Sequence, residues 1–254
     1  MTKKLSVGVV VLGLILPVGV AGAADIKVLS TGNMQTVLAE ITPDFERTTG
    51  HKLVIEYGST PRIKARAETE AADLTINERY VLDDLLKQGR VVAGTLTDIA
   101  RSPFAIGVRS GAPKPDVSTM DALKRALLAA DSIAQPDSAG GAQDGTFFVS
   151  LIGQLGIAEQ VKPKIKLTQG GDNAAKAVAS GETQMGVAQR RNFLPLPGAA
   201  MLEPLPDAPG FKFLMVAGVV TGARERDGAL ALAKYLAAPA RADVLKKNGM
   251  EPYM

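Results

Sequence analysis

The chain has 254 residues, no Cys, a single His and a formal net charge of +3. The lack of Cys excludes disulfides, thiol catalysis and thiolate metal sites, and His51 alone cannot form a multi-histidine metal site. Aromatic residues make up only 4% of the chain and no basic stripe is present, so nothing in the composition indicates nucleic-acid binding.

The first 24 residues have the pattern of a secretory signal peptide. Lys3 and Lys4 precede the almost wholly apolar run Leu5–Val20, and small residues allow cleavage after Ala23 or Ala24. A membrane anchor is the alternative, but the run is short for a span and is interrupted by Gly and Pro. The net charge falls from +3 for the whole chain to +1 for residues 25–254, because Lys3 and Lys4 lie in the predicted signal peptide. We therefore expect a periplasmic mature protein.

From residue 25 onward, strand-like and helix-like patterns alternate. Ile26–Ser30 predicts a buried strand, and the apolar residues from Met34 to Phe45 recur at helical spacing. After a second strand at 52–57, Pro61 takes a first-turn helical position with Thr60 as the predicted cap. Further strands are predicted at 73–76, 104–109, 132–135, 164–168, 184–189 and 211–220, and further helices at 81–86, 120–130, 148–155, from about 173, at 228–238 and at 240–248.

This alternation predicts an α/β protein of two lobes, each a mostly parallel sheet with helices on both faces. The chain crosses between the lobes near residues 100–103 and again in the proline-rich stretch 195–211. We expect lobe I to comprise residues 25–101 and 206–254, and lobe II to comprise residues 102–205.

Four predicted strand-to-helix loops are rich in small hydroxyl, amide and glycine residues. A helix that begins in such a loop presents unpaired backbone N–H groups and a positive dipole end, which together favour an anion. Helix caps and turn glycines are the plainer interpretation of each loop alone. Two loops belong to each lobe, so together they predict an anion site between the lobes. The four are Ser30–Asn33, Ser59–Pro61, Ser138–Thr146 and Gln169–Asn173.

Several short segments follow one another in the order of a known family. They are Val28-Leu29-Ser30-Thr31-Gly32-Asn33, Tyr57-Gly58-Ser59-Thr60, Ser138–Thr146, Leu155-Gly156, Gly181-Glu182-Thr183-Gln184-Met185-Gly186-Val187, and Lys234-Tyr235-Leu236 followed by Pro239 and Asn248-Gly249-Met250. With these motifs the chain resembles the periplasmic molybdate-binding proteins of ABC importers, over nearly all of residues 25–254.

This resemblance implies the two-lobed periplasmic-binding-protein (Venus flytrap) fold, which closes on its ligand by hinge motion. It implies a monomeric solute-binding protein that captures a small anion such as molybdate and delivers it to an ABC transporter permease in the inner membrane. It further implies no enzyme activity, no cofactor and no metal other than one inside a bound oxyanion.

The resemblance also assigns ligand positions. The family's oxyanion ligands correspond to Asn33, Thr60, the backbone near Asp144 and Gly171, and Gln189. Asn33 and Gln189 replace hydroxyl residues of the family. Of Arg190 and Arg191, which follow, we expect at most one to face the cleft, and the choice between them stays open. The predicted set is Ser30, Thr31, Gly32, Asn33, Ser59, Thr60, Asp144, Gly171, Gln189 and Arg190.

Three alternatives follow from the same residues. Amide and guanidinium groups suit a carboxylate or a larger anion as well as molybdate. The membrane partner can be a receptor that senses the ligand rather than an importer. A secreted hydrolase is disfavoured, because the chain has no Gly-x-Ser-x-Gly motif and its one possible imidazole base, His51, is predicted in an exposed turn.

Overall fold

A computed structural model of the chain describes residues 24–253, so the predicted signal peptide lies, apart from its last residue, outside the described residues. Within this range strands and helices alternate as the sequence predicts, and no helix is both long and apolar enough to cross a bilayer. The strands are β1 (Asp25–Thr31), β2 (Lys52–Gly58), β3 (Leu74–Glu78), β4 (Thr97–Arg109), β5 (Ile133–Pro136), β6 (Ile165–Thr168), β7 (Met185–Gln189), β8 (Ala199–Met201), β9 (Lys212–Val219) and β10 (Glu251–Pro252). The helices are α1 (Gln35–Thr49), α2 (Thr60–Thr69), α3 (Arg79–Lys87), α4 (Met120–Ala129), α5 (Gln143–Gln154), α6 (Ala158–Val161), α7 (Gly171–Ser180), α8 (Arg190–Phe193), α9 (Arg226–Ala237) and α10 (Ala242–Lys247).

The long strand β4 connects the two halves of the fold. Its residues Thr97–Pro103 pair with β9, and its residues Phe104–Val108 pair with β7. On one side β1 runs parallel to β2 and β3, and on the other side β5 runs parallel to β6 and β7. The strands that pair with β4 are antiparallel to it. The result is the two-lobed α/β fold.

Each half has its own hydrophobic core. The first core packs β1, β3 and β9 against α1 and α9, with Phe45 fully buried at its centre. The second core packs β4 and β7 against α4 and α5 around Phe148. Separate cores are what separate lobes require. The lobe boundaries at 101/102 and 205/206 remain predictions.

The structure corrects three local predictions. Strand β4 begins at Thr97 rather than at Phe104, because long-range pairing with β9 extends it. The N-cap of α2 is Ser59 rather than Thr60, which already lies inside the helix. His51 is buried rather than exposed, since its ring stacks on Phe45.

Candidate functional site

A cavity of about 570 Å³, here called the cleft, lies where the strand-to-helix loops of the two lobes meet. In the first lobe the paired ends of β1 and β2 bring Thr31 opposite Gly58, and in the second the ends of β5 and β6 bring Pro136 opposite Thr168. The carboxyl ends of parallel strands therefore form both walls, as is usual for ligand sites in α/β folds. The lining residues are Thr31, Gly32, Asn33, Gly58, Ser59, Thr60, Asp137, Gly140, Gly141, Ala142, Gln143, Asp144, Thr168, Gln169, Gly170, Gly171, Gln189 and Arg191.

The first wall is built from the starts of two helical segments. After β1 the chain enters a 3-10 turn at Gly32, where Thr31 Oγ1 accepts a 3.5 Å hydrogen bond from the Asn33 backbone N–H. After β2, Ser59 caps α2 without a side-chain hydrogen bond to it. Strand β3 anchors the loop between β2 and α2, because Asn77 Nδ2 donates a 3.1 Å hydrogen bond to the backbone oxygen of Thr60. Backbone N–H groups and short hydroxyls thus face the cleft.

The second wall brings two further helix starts together. An ideal Cβ at Gly171, which begins α7, would lie 2.9 Å from Asp144 Oδ2 and 2.7 Å from Asn192 Oδ1. Only glycine fits at this junction of α5, α7 and α8, because any side chain would displace a polar group. Asn192 also donates from Nδ2 to Asp172 Oδ1 at 2.6 Å, which fixes its orientation.

Gln189 is the last residue of β7 and lines the cleft, and a hydrogen bond to its side-chain oxygen fixes its orientation. Ser102 Oγ, on the crossing strand β4, donates to Gln189 Oε1 at 2.6 Å. The Gln189 backbone N–H donates to Asn192 Oδ1 at 3.0 Å, which helps to cap α8. Since the side-chain oxygen of Gln189 already accepts a hydrogen bond from Ser102, its side-chain NH₂ is the group that can donate to a ligand.

The two lobes contact each other across the cleft. Arg191 Nη2, in the second lobe, donates to Asn33 Oδ1, in the first, at 2.8 Å. An ideal Cβ at Gly141 would overlap the ring of Pro61, so these two loops are in close contact. The cleft is therefore bridged by its own side chains in this conformation.

Two arginines that are adjacent in sequence point to different places. Arg191 lines the cleft, whereas Arg190 lines a second pocket and lies 3.6 Å from Glu203. The strand ends at Gln189 and α8 begins at Arg190, so the two side chains follow helical geometry rather than strand alternation. Of the two arginines between which the sequence left the choice open, Arg191 is the one at the cleft, and the inclusion of Arg190 among the predicted ligand residues is corrected.

Of the other predicted ligand residues, Ser30 is not among the residues that line the cleft. It is fully buried, and its hydroxyl donates to the backbone oxygen of Thr31 at 3.1 Å. The remaining predicted residues do line the cleft, and their role as ligands stays a prediction: Thr31, Gly32, Asn33, Ser59, Thr60, Asp144, Gly171 and Gln189.

Two buried carboxyl groups lie at this site. Burial raises the pKa of Asp144 to about 6; Asp172 acts in the same direction, and the Gly145 N–H and Arg191 oppose it. Burial raises the pKa of Glu78 to about 8, with the charge of Asp144 adding to the effect and the hydroxyl of Thr60 opposing it. Removing a charged carboxylate from water is costly, so burial shifts the equilibrium of each group toward its protonated form.

Sequence reasoning missed Glu78. It ends β3 next to β1, and all five residues of that strand are buried. A signal for Glu78 was present in the sequence. It stands at the carboxyl end of a buried strand directly before a helix, and the predicted cleft loops also follow strands and precede helices. Across residues 24–253 no group of three or more His, Cys, Asp or Glu is arranged to hold a metal ion.

Residues 26–251 match the family described as bacterial extracellular solute-binding protein. The chain belongs to this family. One curated relative is an aconitate isomerase from a Pseudomonas species, which is 31% identical over 233 residues, with 89% of this chain and 87% of the relative covered. Another is the molybdate-binding protein ModA of Azotobacter vinelandii, which is 29% identical over 265 residues, with 98% of each chain covered. The predicted resemblance to periplasmic molybdate-binding proteins is thereby confirmed.

Solved structures of other solute-binding proteins share the fold. The periplasmic molybdate-binding protein of Azotobacter vinelandii superposes with a TM-score of 0.71 at 18% identity, covering 90% of this chain and 100% of that one. The tungstate-binding protein of Desulfovibrio alaskensis superposes with a TM-score of 0.72 at 16% identity, covering 91% and 99%. These likenesses confirm the two-lobed fold of this solute-binding protein.

Proposed function

We propose that this solute-binding protein captures a small organic anion with two or more carboxylates in the cleft and delivers it to an ABC transporter permease in the inner membrane. The observation that carries this proposal is Arg191. Its guanidinium lines the cleft, its Nη2 reaches across to Asn33, and its Nε is buried without a hydrogen-bond partner among the described residues. A planar guanidinium with donors to spare matches a carboxylate through two parallel hydrogen bonds.

The size of the cleft supports an organic ligand. Its volume of about 570 Å³ falls within the range of sites that hold small organic molecules. The helix starts at Ser59, Gly171 and near Asp144 supply further donors at separate points of the wall. A polycarboxylate places its charged groups at several such points, whereas a tetrahedral oxyanion concentrates its charge at one.

The buried acids support the same choice. Asp144 lies in the wall of the cleft, and an ionised carboxylate there repels a compact dianion such as molybdate. An extended organic anion can present an uncharged carbon segment to Asp144 while its carboxylates meet Arg191 and the helix starts. The similarity to a protein named aconitate isomerase supports a tricarboxylate as the ligand.

A ligand panel tests the proposal. The mature protein is heated with citrate, cis- and trans-aconitate, succinate, molybdate, tungstate, sulfate or phosphate, and its melting temperature is recorded against ligand concentration. We expect a concentration-dependent rise with at least one di- or tricarboxylate, because a ligand that binds only the folded state stabilises it. A rise with molybdate or tungstate alone would return the protein to the oxyanion function predicted from its sequence resemblance.

The delivery step has its own test. Cross-linking the ligand-bound protein to inner-membrane vesicles should capture an ABC permease. Capture of a sensor kinase or chemoreceptor in its place would assign the protein to ligand sensing. We further propose that the protein acts as a monomer in the periplasm, which size-exclusion chromatography and cell fractionation test directly.

A further inference from the structure

Two buried carboxyl groups, one from each lobe, lie at and behind the wall of the cleft, and the charge of Asp144 acts on Glu78. Asp144, in the first turn of α5, lines the cleft and is 5% exposed. Glu78, at the end of β3, is 2% exposed and lies behind Thr60, whose Oγ1 is 3.5 Å from Glu78 Oε1. Glu78 Oε2 is buried without a hydrogen-bond partner among the described residues. Binding of an anion does not explain why two acids are buried here.

Their surroundings give the two acids different protonation states. The N–H of Gly145 donates to Asp144 Oδ1 at 3.1 Å, and the charge of Arg191 also favours the carboxylate of Asp144. Glu78 has no cation among the groups that shift its pKa, and it faces the charge of Asp144. With a pKa of about 6 for Asp144 and about 8 for Glu78, the first is mostly ionised at neutral pH and the second is protonated. Asp144, which lines the cleft, is therefore the carboxylate that can accept a proton from a bound ligand at neutral pH.

We propose that the cleft also isomerises an unsaturated polycarboxylate, with Asp144 carrying a proton between the two ends of an allylic segment. This proposal rests on the proposed function, because it needs a polycarboxylate in the cleft, and it adds an activity to binding.

The step balances without a further reactant. The Asp144 carboxylate takes a proton from a CH₂ group that lies between a carboxylate and a C=C bond. The electron pair of that C–H bond forms a new C=C bond, and the old double-bond pair moves toward the far carbon. Asp144 then returns a proton to that carbon, which becomes the new CH₂. Substrate and product have the same formula, and the enzyme ends as it began.

The neighbouring groups have separate tasks. Arg191 holds a substrate carboxylate and stabilises the negative charge that develops on it when the proton leaves. Glu78 acts through other groups and is a positioning residue. When it is protonated it leaves Asp144 as the one ionised acid of the pair, and through its contact with Thr60 it orients a hydroxyl at the wall.

The test follows cis- and trans-aconitate by proton NMR in D₂O, with the wild-type protein and with Asp144→Asn, Glu78→Gln and Glu203→Gln. Glu203 pairs with Arg190 at the second pocket, so it controls for the loss of a carboxylate elsewhere. We expect the wild type and Glu203→Gln to interconvert the isomers and to incorporate deuterium. Asp144→Asn should lose at least about 100-fold in rate, which is the low end of general acid–base catalysis. Glu78→Gln should change the pH profile only above about pH 7, because the wild-type rate falls as Glu78 ionises and repels the anionic substrate, and the amide of the variant does not titrate.

Melting temperatures with and without ligand accompany every rate, so that a misfolded variant is recognised. If aconitate raises the melting temperature of the wild type but neither conversion nor deuterium uptake occurs, the isomerase proposal is overturned and the proposed function stands. If Asp144→Asn binds and converts at the wild-type rate, the role of Asp144 is overturned. If no polycarboxylate raises the melting temperature, the proposed function itself fails.

Discussion

Arg191 Nη2 and Asn33 Oδ1 form a 2.8 Å hydrogen bond between residues 158 positions apart, one in each lobe. The sequence resemblance predicts that Asn33 replaces a hydroxyl group of the molybdate-binding family, and this hydrogen bond is one function that the amide can serve here. An amide oxygen accepts from a guanidinium and positions it, and the guanidinium keeps further N–H donors for a ligand. Asn33 and Arg191 therefore act together at one point of the cleft.

Arg191→Ala should weaken binding of a polycarboxylate by about 10- to 100-fold, because hydrogen bonds to charged groups contribute about 1.5–3 kcal/mol. Isothermal titration calorimetry measures the effect. Arg190→Ala is the matched control, since its side chain lies at the second pocket beside Glu203. Equal losses in both variants would contradict the assignment of Arg191 to the cleft site.

Gly141→Ala should impair the contact between the loops of the two lobes. Its φ of 78° is unfavourable for a side chain, and the added Cβ would overlap the ring of Pro61. Gly140→Ala is the matched control, because a Cβ there has its nearest neighbour, the Asp137 carbonyl oxygen, at 3.4 Å.

We expect weaker ligand binding in Gly141→Ala and little change in Gly140→Ala, measured by calorimetry. Adding Pro61→Ala to Gly141→Ala should restore part of the affinity, since it removes the overlap but not the backbone strain. A double variant as weak as Gly141→Ala alone would show that the overlap with Pro61 does not matter.

Local patterns predicted most of the fold and much of the cleft. Hydrophobic periodicity placed the buried strands, and the small residues after them marked the helix starts at Asn33 and Gly171 that line the cavity. Both signals depend on neighbours in sequence, which is why one chain suffices to detect them.

What failed depends on distant partners. The extra residues of β4 are a strand only because β9 pairs with them, and Glu78 is a site residue only because Asp144 lies near it. The choice between Arg190 and Arg191 turned on where β7 ends and α8 begins, and a shift of one residue exchanges the two. The position of Glu78 at the end of a buried strand was a local signal, but no local pattern gives the pairing of β4 with β9 or the exact end of β7.

Phe148→Ala should destabilise the second lobe by about 3–5 kcal/mol, as is typical when a fully buried aromatic ring is removed. Val149→Ala is the matched control in the same helix, because Val149 is exposed. Urea denaturation measures both. Since Phe148 belongs to the core of the second lobe alone, a separate unfolding transition of the first lobe should keep its midpoint in Phe148→Ala.

The pH dependence of stability should reveal Glu78. Its folded-state pKa of about 8 lies above the ordinary value of 4.5, so the folded protein binds the proton more tightly than the unfolded chain. The stabilisation is complete below about pH 4.5 and is lost as the pH rises through about 8, at most about 1.4 kcal/mol for each pH unit between them. The Asp144 carboxyl of α5 and the Thr60 hydroxyl of α2 shift the pKa of Glu78, and the Tyr80 hydroxyl of α3 lies within reach of its charge. Asp144 contributes to the slope in the same direction up to about pH 6.

Urea denaturation at intervals from pH 4.5 to 8.5 measures this slope. Wild-type stability should fall with rising pH, most steeply between about pH 4.5 and 6, where Asp144 and Glu78 both hold an extra proton, and less steeply between pH 6 and 8, where Glu78 alone still does. Glu78→Gln should flatten that part of the curve, because its amide does not titrate, while Glu203→Gln should follow the wild type. A wild-type curve that is level from pH 6 to 8, or one that Glu78→Gln leaves unchanged, would mean that Glu78 is ionised in the folded protein and that its burial does not keep it protonated.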